Sequence, residues 1–232
     1  MIKVIFFDAA ETLFKTRGSV GHIYLEIAKK YGSTSTKKAI DTAFFDVFKK
    51  EPPPNFPESC VPNERLALEK SWWYSVVKQV FIQVGMFPGF DDYFHEVYSV
   101  FKGSHGWELF PETVEVLTQL KRNGYQTGMI TNFDSRVYDV NRALGIEPLI
   151  DSLTLSSEAG APKPNPKIFA KAIETHHIQP KEAIHVGDSL TDDVRGAQNA
   201  GMQAVLIDRH GIFKPDKDYV RITSLRELLE LL

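Results

Sequence analysis

The sequence predicts an α/β fold in which a parallel sheet carries helices on both faces and a block of helices is inserted after the first strand. Two patterns lead to this prediction. After residue 107, short apolar runs alternate with helical segments of about ten residues, which is typical of strand–helix crossover units. Residues 15–106 contain helical segments and no convincing strand. We therefore expect a discontinuous core domain at 1–14 and 107–232, with an all-helical domain at 15–106 between its parts.

The first strand is predicted at residues 3–8, where an apolar run ends in the carboxylate of Asp8. The block that follows is rich in aromatic residues. We expect most of them to form the core of this block and one or two to line a pocket facing the main domain. Glycine- and proline-rich loops divide the block into four expected helices, at 22–31, 36–50, 63–84 and 91–102.

The remaining elements alternate between helix and strand. A helix is expected at 111–124, with Val114, Leu117 and Leu120 on one apolar face and Gly124 at its end. The last helix opens with a capping box. Strands are predicted at 127–132, 153–156, 183–188 and 203–208, and further helices at 135–144, 166–176, 192–200 and 224–232.

The composition argues against several functional classes. The net charge is −3 and opposite charges are interspersed, so we expect no nucleic-acid or membrane partner and favour a small molecule. The single cysteine, Cys60, excludes an internal disulfide and a cysteine-based metal cluster. No apolar stretch approaches the ~20 residues that a membrane-spanning helix needs, and a cytoplasmic location is expected. Nothing in the pattern predicts an oligomeric state.

Polar residues stand at the ends of the predicted strands. Asp8, Thr131 and Asp188 each close one strand, and Lys163 lies in a loop after another. Prolines on both sides of Lys163 keep this loop out of a helix. Because the carboxyl ends of parallel strands converge on one crevice, we expect these side chains to lie together.

These segments resemble, in the same order, the four motifs of the haloacid dehalogenase (HAD) superfamily. The resemblance covers essentially the whole chain, including a helical cap inserted after the first motif. It is closest to the branch of HAD-like hydrolase domain-containing proteins that lack the second aspartate of the first motif. The family implies a Rossmann-like core with strand order 5-4-1-2-3 and an activity, often that of a phosphatase, that uses an aspartyl nucleophile.

The resemblance assigns roles to individual residues. Asp8 would be the nucleophile that forms an aspartyl phosphate, since a carboxylate is ionised at neutral pH and needs no base. The hydroxyl of Thr131 would bind a phosphoryl oxygen, and the amide of Asn132 would contact the same group or the substrate. Lys163 would neutralise the charge on the nucleophile and on the phosphoryl group.

The resemblance also implies a Mg²⁺ site. Asp8, Asp188 and the backbone carbonyl of Ala10 would bind the ion, which prefers oxygen ligands and keeps several waters. A further acid would act through water: Asp193 fits the longer motif spacing and Asp192 the shorter. We prefer Asp193, in which case Asp192 would cap the following helix, where an acid is favoured.

The first motif departs from the family at Ala10, where a second aspartate would serve as general acid and base. Alanine keeps the carbonyl, but it cannot protonate the leaving oxygen or activate the attacking water. Such help is typically worth about 10²–10⁴ in rate. Glu11 or a cap residue is the candidate replacement. The sequence thus favours a Mg²⁺-dependent phosphatase of a small phosphorylated metabolite, and a catalytically silent binding fold is the alternative.

Haloacid dehalogenases also lack an acid at this position. Their reaction does not need Mg²⁺, so the predicted metal ligands favour phosphate chemistry over dehalogenation. Phosphonoacetaldehyde hydrolases carry alanine there, but they need a cap lysine that forms a Schiff base, and no surrounding motif of this chain matches theirs.

Overall fold

The structure, a computed structural model, describes residues 1–214 and 217–232. The strands are β1 Val4–Phe7, β2 Phe14–Thr16, β3 Trp107–Leu109, β4 Gln126–Thr131, β5 Ser152–Leu155, β6 Ala183–Gly187, β7 Gln203–Ile207 and β8 Val220–Ile222. The α-helices are α1 Val20–Ala28, α2 Lys37–Phe48, α3 Pro62–Val84, α4 Phe90–Val100, α5 Thr113–Arg122, α6 Arg136–Ala143, α7 Ser156–Ala159, α8 Pro166–Thr175 and α9 Gly196–Asn199. Short 3₁₀ helices cover Lys29–Tyr31, Glu147–Leu149, Pro180–Glu182 and Leu225–Glu230, and a π-helix covers Leu190–Arg195.

The central sheet is parallel and has the strand order β5-β4-β1-β6-β7-β8. If β1, β4, β5, β6 and β7 are counted as the first to fifth core strands, this is the expected order 5-4-1-2-3 read from β7. The structure adds β8 at the edge beside β7, which the sequence did not predict. With only three residues, β8 is too short for a periodic pattern.

Strand β1 shows why the sheet carries helices on both faces. Every side chain of this strand is fully buried. Successive side chains of a strand point to opposite faces, and the two faces here enter separate hydrophobic clusters. Ile5 and Phe7 belong to the larger cluster, and Val4 and Phe6 to the other. The expected α/β fold class is confirmed.

The inserted helices α1–α4 are joined to the sheet through a two-stranded antiparallel ribbon. Strand β2 pairs with β3, and Thr16 lies opposite Trp107. The expectation of no strand within residues 15–106 is therefore wrong for Lys15 and Thr16. This pairing joins residues far apart in the chain, so it leaves no local pattern. The division into a core domain and a cap domain remains a prediction.

Two helices in the second half of the chain differ in detail from the sequence-based prediction. Helix α5 buries Thr113, Val116, Leu117 and Leu120, a stripe at helical spacing. Val114 lies off this stripe and is 44% exposed, so its predicted burial is wrong.

The terminal helix forms at Leu225–Glu230 as a 3₁₀ helix, shorter than expected. Its capping box is present, since Ser224 and Glu227 satisfy each other's backbone amides. No helix among the described residues is long and apolar enough to span a membrane.

Candidate active site

The carboxyl edge of the sheet opens into a cavity of about 430 Å³ between the sheet and the inserted helices. Asp8 follows β1, Thr131 ends β4 and Asp188 follows β6, so the strands themselves deliver these side chains to one place. The cavity is lined by every site residue that the sequence predicted: Asp8, Ala10, Thr131, Asn132, Lys163, Asp188, Asp192 and Asp193.

Lys163 lies at the centre of the charged groups. Its Nζ is 2.8 Å from Asp8 Oδ1 and 2.5 Å from Asp193 Oδ1. Burial alone would lower the pKa of Lys163, but the carboxylates of Asp193 and Asp8 outweigh it and raise the pKa above its ordinary value. The lysine is therefore charged at neutral pH and pairs with the Asp8 carboxylate. Its role in neutralising a nucleophile and a phosphoryl group stays a prediction.

Asp193 is held from three sides. Its Oδ1 also contacts His185 Nε2 at 2.8 Å, and its Oδ2 accepts a hydrogen bond from the Ser189 amide at 3.0 Å. Burial would raise its pKa, but Lys163 and His185 lower the pKa well below its usual range. A Cβ on Gly187 would lie 2.1 Å from Asp193 Cγ. The glycine before Asp188 thus makes room for this carboxylate.

Asp192 lines the cavity and is half-buried, but it does not join the acid cluster described below. The prediction that it caps the following helix is wrong. The side chain of Ser189 caps the helix instead, accepting a hydrogen bond from the Asp192 amide at 3.1 Å. A serine hydroxyl at this position satisfies a free backbone amide as well as a carboxylate does.

Three carboxylates form a cluster that suits a divalent cation. Oxygens of Asp8, Asp188 and Asp193 all lie within 4.8 Å of one another. Burial, followed by the charges of Asp8 and Asp193, raises the pKa of Asp188 to about 8. One lysine therefore does not balance the acids, and a cation would do so.

The backbone at Ala10 also fits a cation. The neighbouring backbone groups already form hydrogen bonds with one another. The amides of Leu13 and Phe14 donate to the Ala9 carbonyl, and the Glu11 amide donates to the Phe14 carbonyl. The Ala10 carbonyl itself accepts no hydrogen bond from the described residues. Ala10 lines the same cavity as the acid cluster, so Asp8, Asp188, Asp193 and this carbonyl would together hold Mg²⁺.

We predict that Mg²⁺ affinity depends on pH through Asp188. Below about pH 8 this carboxyl is protonated, so a cation must displace a proton. The apparent affinity should rise about tenfold per pH unit and level off once the pH exceeds the pKa. Because the pKa is raised from 3.8 on folding, the metal-free protein should also lose stability as pH rises from about 4 to about 8, and the loss should level off above that. Calorimetry in buffers of different ionisation enthalpy would count the proton released. An unchanged affinity across this range, or the same pH dependence in Asp188→Asn, would contradict the prediction.

The second predicted motif contributes a hydroxyl and a positioning amide. Thr131 is 3% exposed, and its Oγ1 accepts a hydrogen bond from the Phe133 amide at 3.3 Å, which leaves the hydroxyl hydrogen free to donate into the cavity. Asn132 donates to the Lys163 carbonyl at 3.1 Å and accepts from the Lys163 amide at 2.7 Å. This pair of bonds fixes the lysine loop. A direct contact of Asn132 with substrate stays a prediction.

Glu11 lies outside the acid cluster. Its backbone has a positive φ of 58°, and its carbonyl accepts a hydrogen bond from Arg209 Nε at 3.2 Å. The carboxylate is 44% exposed and lies 3.5 Å from His210 Nε2. It lines the cavity, so a role in proton transfer is open to it, but its contacts direct it towards solvent.

The inserted helices contact the sheet beside the cavity through buried polar groups. Glu69 of α3 accepts hydrogen bonds from the amide and hydroxyl of Ser135, and Trp73 Nε1 donates to Asp134. Burial raises the pKa of the Glu69 carboxyl, although the Ser135 hydroxyl opposes the rise. Asp134 also pairs with Arg136 at 2.7 Å. We call these interactions the cap contact.

The sequence pattern does not predict the roles of the charged residues of the cap contact or of His185. Asp134 and Arg136 follow the second motif directly, and a charged pair at the start of a predicted helix beside a strand end was the available signal. His185 stands inside a buried apolar strand, where a lone polar residue needs a partner.

Comparison with known proteins identifies the family. The chain matches the model of the haloacid dehalogenase-like hydrolases over residues 2–201, and it belongs to this family of hydrolases. The haloacid dehalogenase-like hydrolase domain-containing protein 3 of Mus musculus is 28% identical over 212 residues, which are 89% of this chain and 82% of the relative. Glyceraldehyde 3-phosphate phosphatase from Pyrococcus furiosus is 37% identical over 130 residues, or 53% of each chain.

Solved structures share the fold over the whole chain. YfnB from Bacillus subtilis, solved bound to magnesium, superposes with a TM-score of 0.75 at 17% identity and covers 99% of this chain and 98% of its own. L-2-haloacid dehalogenases have the same fold. At such identities the likeness shows the architecture alone.

Proposed function

We propose that the protein is a Mg²⁺-dependent phosphatase that acts on a small phosphorylated metabolite through an aspartyl phosphate on Asp8. The observation that carries this proposal is the ion pair between Asp8 and the buried, charged Lys163, placed beside a cluster of acids that one lysine does not balance. The name of the relative from Pyrococcus furiosus supports phosphate monoesters as substrates. The magnesium-bound neighbour supports the metal.

The residues of the site divide the reaction into two displacements at phosphorus. A carboxylate oxygen of Asp8 attacks the phosphorus atom, and the bond to the leaving oxygen breaks. Lys163 holds its proton and balances the negative charge, and the hydroxyl of Thr131 donates to a phosphoryl oxygen. Water then attacks the same phosphorus and releases phosphate, which restores the Asp8 carboxylate. When bound, the cation would supply further positive charge to the phosphoryl oxygens.

The absence of a carboxyl at Ala10 determines which esters react. Without a proton donor the leaving oxygen departs as an anion, so the rate should depend steeply on its basicity. We predict that aryl and acyl phosphates turn over far faster than alkyl esters such as sugar phosphates. Release of inorganic phosphate should require Mg²⁺ and disappear in Asp8→Asn, the matched control that keeps the side chain's shape. No Mg²⁺-dependent release from any of these compounds would instead favour a silent binding fold.

A further inference from the structure

The half of the cavity that faces the inserted helices has a chemistry of its own. We call it the aromatic chamber. Its walls are formed by Tyr24 of α1, Phe44 and Phe48 of α2, Trp73 of α3, Tyr98 of α4 and Trp107 of β3. The rings contact one another. For example, Phe48 stacks on Phe44 with 5.2 Å between centroids and on Trp73 at 5.9 Å. Ring faces and edges at these spacings provide a site for a flat apolar group.

Few polar atoms are available in this chamber. Away from the residues around Asp8 and from Glu11, the described lining offers the side chains of Thr16 and Arg136 and the hydroxyls of Tyr24 and Tyr98. Burial raises the pKa of both tyrosines above the usual range, so both hydroxyls stay neutral. A polyol placed here would bury hydroxyl groups without partners, at a cost that rejects it.

Arg136 supplies one donor to this apolar space. The side chain is 5% exposed, and its guanidinium lies between the rings of Trp73 and Tyr98, 4.5 and 4.6 Å from their centroids. Its Nε and Nη2 donate to Asp134. Nη1 has no hydrogen-bond partner among the described residues, and it is not fully buried. It is therefore able to donate a hydrogen bond to a ligand.

The charge of Arg136 decides what kind of acceptor fits this donor. Asp134 already neutralises the guanidinium, and Trp73 donates to the same carboxylate. A second carboxylate, supplied by a ligand, would be buried without an opposite charge. A neutral carbonyl or ether oxygen would satisfy Nη1 at no such cost.

We propose that the aromatic chamber selects aryl phosphates whose ring carries a neutral hydrogen-bond acceptor directed at Arg136. This inference rests on the proposed function, which places the phosphoryl group at Asp8 and the leaving group in the chamber. An aryl oxide is also a weakly basic leaving group, so the chamber and Ala10 independently favour the same class of substrate. The cavity of about 430 Å³ lies within the usual range for small-molecule sites.

The first experiment measures binding, so that it does not depend on turnover. Phosphonates cannot be hydrolysed and place an anion where the phosphoryl group would lie. With Mg²⁺ present, benzylphosphonate should bind at least about tenfold more tightly than dihydroxypropylphosphonate. The para-acetyl derivative should bind about tenfold more tightly than its para-isopropyl isostere, because only the acetyl group can accept from Nη1. Equal binding of the polyol would overturn the aromatic assignment, and equal binding of the isosteres would overturn the role of Arg136.

A pair of phenylalanines on α2 provides matched variants. Phe48 lines the chamber and is 45% exposed, whereas Phe45 is 64% exposed and does not line it. Phe48→Ala should weaken benzylphosphonate about fivefold and leave the polyol unchanged. Phe45→Ala should alter neither. Identical affinities in the two variants would refute the chamber as the ring site.

The two proposals fail in different ways. Ring-selective binding without any Mg²⁺-dependent phosphate release would refute the phosphatase and leave the selectivity standing. Phosphate release that is equally fast from aryl and polyol esters, with no effect of Phe48→Ala, would refute the aromatic chamber and leave the phosphatase.

Discussion

Replacing Ala10 by aspartate is expected to raise the turnover of alkyl phosphates by about 10²–10⁴. Ala10 lines the same cavity as Asp8, so we expect a carboxyl at this position to reach the leaving oxygen. Aryl phosphates should gain much less, because their leaving oxygen needs little help from an acid. The slope of log kcat against leaving-group pKa should therefore flatten in Ala10→Asp. Steady-state rates over a series of aryl and alkyl esters measure this slope.

The same substitution should shorten the lifetime of the phosphoenzyme. In the natural chain no carboxyl at Ala10 activates the attacking water, so phosphorylated Asp8 should accumulate. Acid quenching during turnover of an acyl phosphate, followed by mass spectrometry, should find one phosphoryl group on Asp8. Ala10→Asn is the control, since it has the size of aspartate but transfers no proton. If the natural chain cleaves alkyl and aryl esters equally fast and no phosphoenzyme is trapped, another acid acts. Glu11→Gln would then test the nearest one.

Lys163→Met should have the second large effect, on activity and on stability together. Methionine fills the space but leaves Asp8 and Asp193 without the buried charge that pairs with both. We expect turnover to fall about 10²–10³-fold, as for other groups that stabilise transition-state charge. The free energy of unfolding should fall by about 3–5 kcal/mol, the usual result of removing one partner of a buried ion pair. Saturating Mg²⁺ should return part of that stability, because a cation in the acid cluster replaces the missing charge.

Lys167 offers a matched control four residues away. Its side chain is 54% exposed and pairs with Glu58 on the surface. Lys167→Met should leave the free energy of unfolding nearly unchanged, because an exposed ion pair contributes little to stability. Denaturant titrations with and without Mg²⁺ compare the two variants. A Lys163→Met protein as stable as Lys167→Met, or one that Mg²⁺ does not stabilise, would show that the acid cluster does not depend on this lysine.

The fold was predictable where long segments carry a periodic pattern. The parallel sheet, the helices on both faces and the inserted helical block all follow from apolar runs that alternate with amphipathic segments. The errors lie in short elements. The ribbon of β2 and β3 and the edge strand β8 have three residues each, and long-range pairing forms them. Val114 was misplaced because a strict spacing of three drifts around the helix, so that Val114 lies about 120° from Leu120. The buried residues Thr113, Val116, Leu117 and Leu120 instead follow the i, i+3, i+4, i+7 spacing of one face.

The position of the candidate site was predictable from the polar residues at the ends of the predicted strands. All the polar residues expected at the carboxyl edge line one cavity, because the topology of a parallel sheet brings those ends together. The contacts that hold them were not predictable. The bonds of His185 to Asp193 and of Asn132 to the Lys163 loop depend on side-chain positions that no linear spacing encodes. The orientation of the aromatic rings follows from packing between helices for the same reason.

We expect the cap contact to make closure part of the affinity of every ligand. The hydrogen bonds of Glu69 to Ser135 and of Trp73 to Asp134 exist only while the inserted helices rest on the sheet. A ligand enclosed between the two layers therefore binds with its intrinsic affinity scaled by the fraction of molecules that are closed. Ser135 bonds Glu69 and is not among the residues that line the cavity. Ser135→Ala should therefore reduce the affinity of aromatic and polyol phosphonates by one common factor. Selectivity and closure are thus separable quantities. The side chains that line the aromatic chamber determine the first, and the cap contact determines the second.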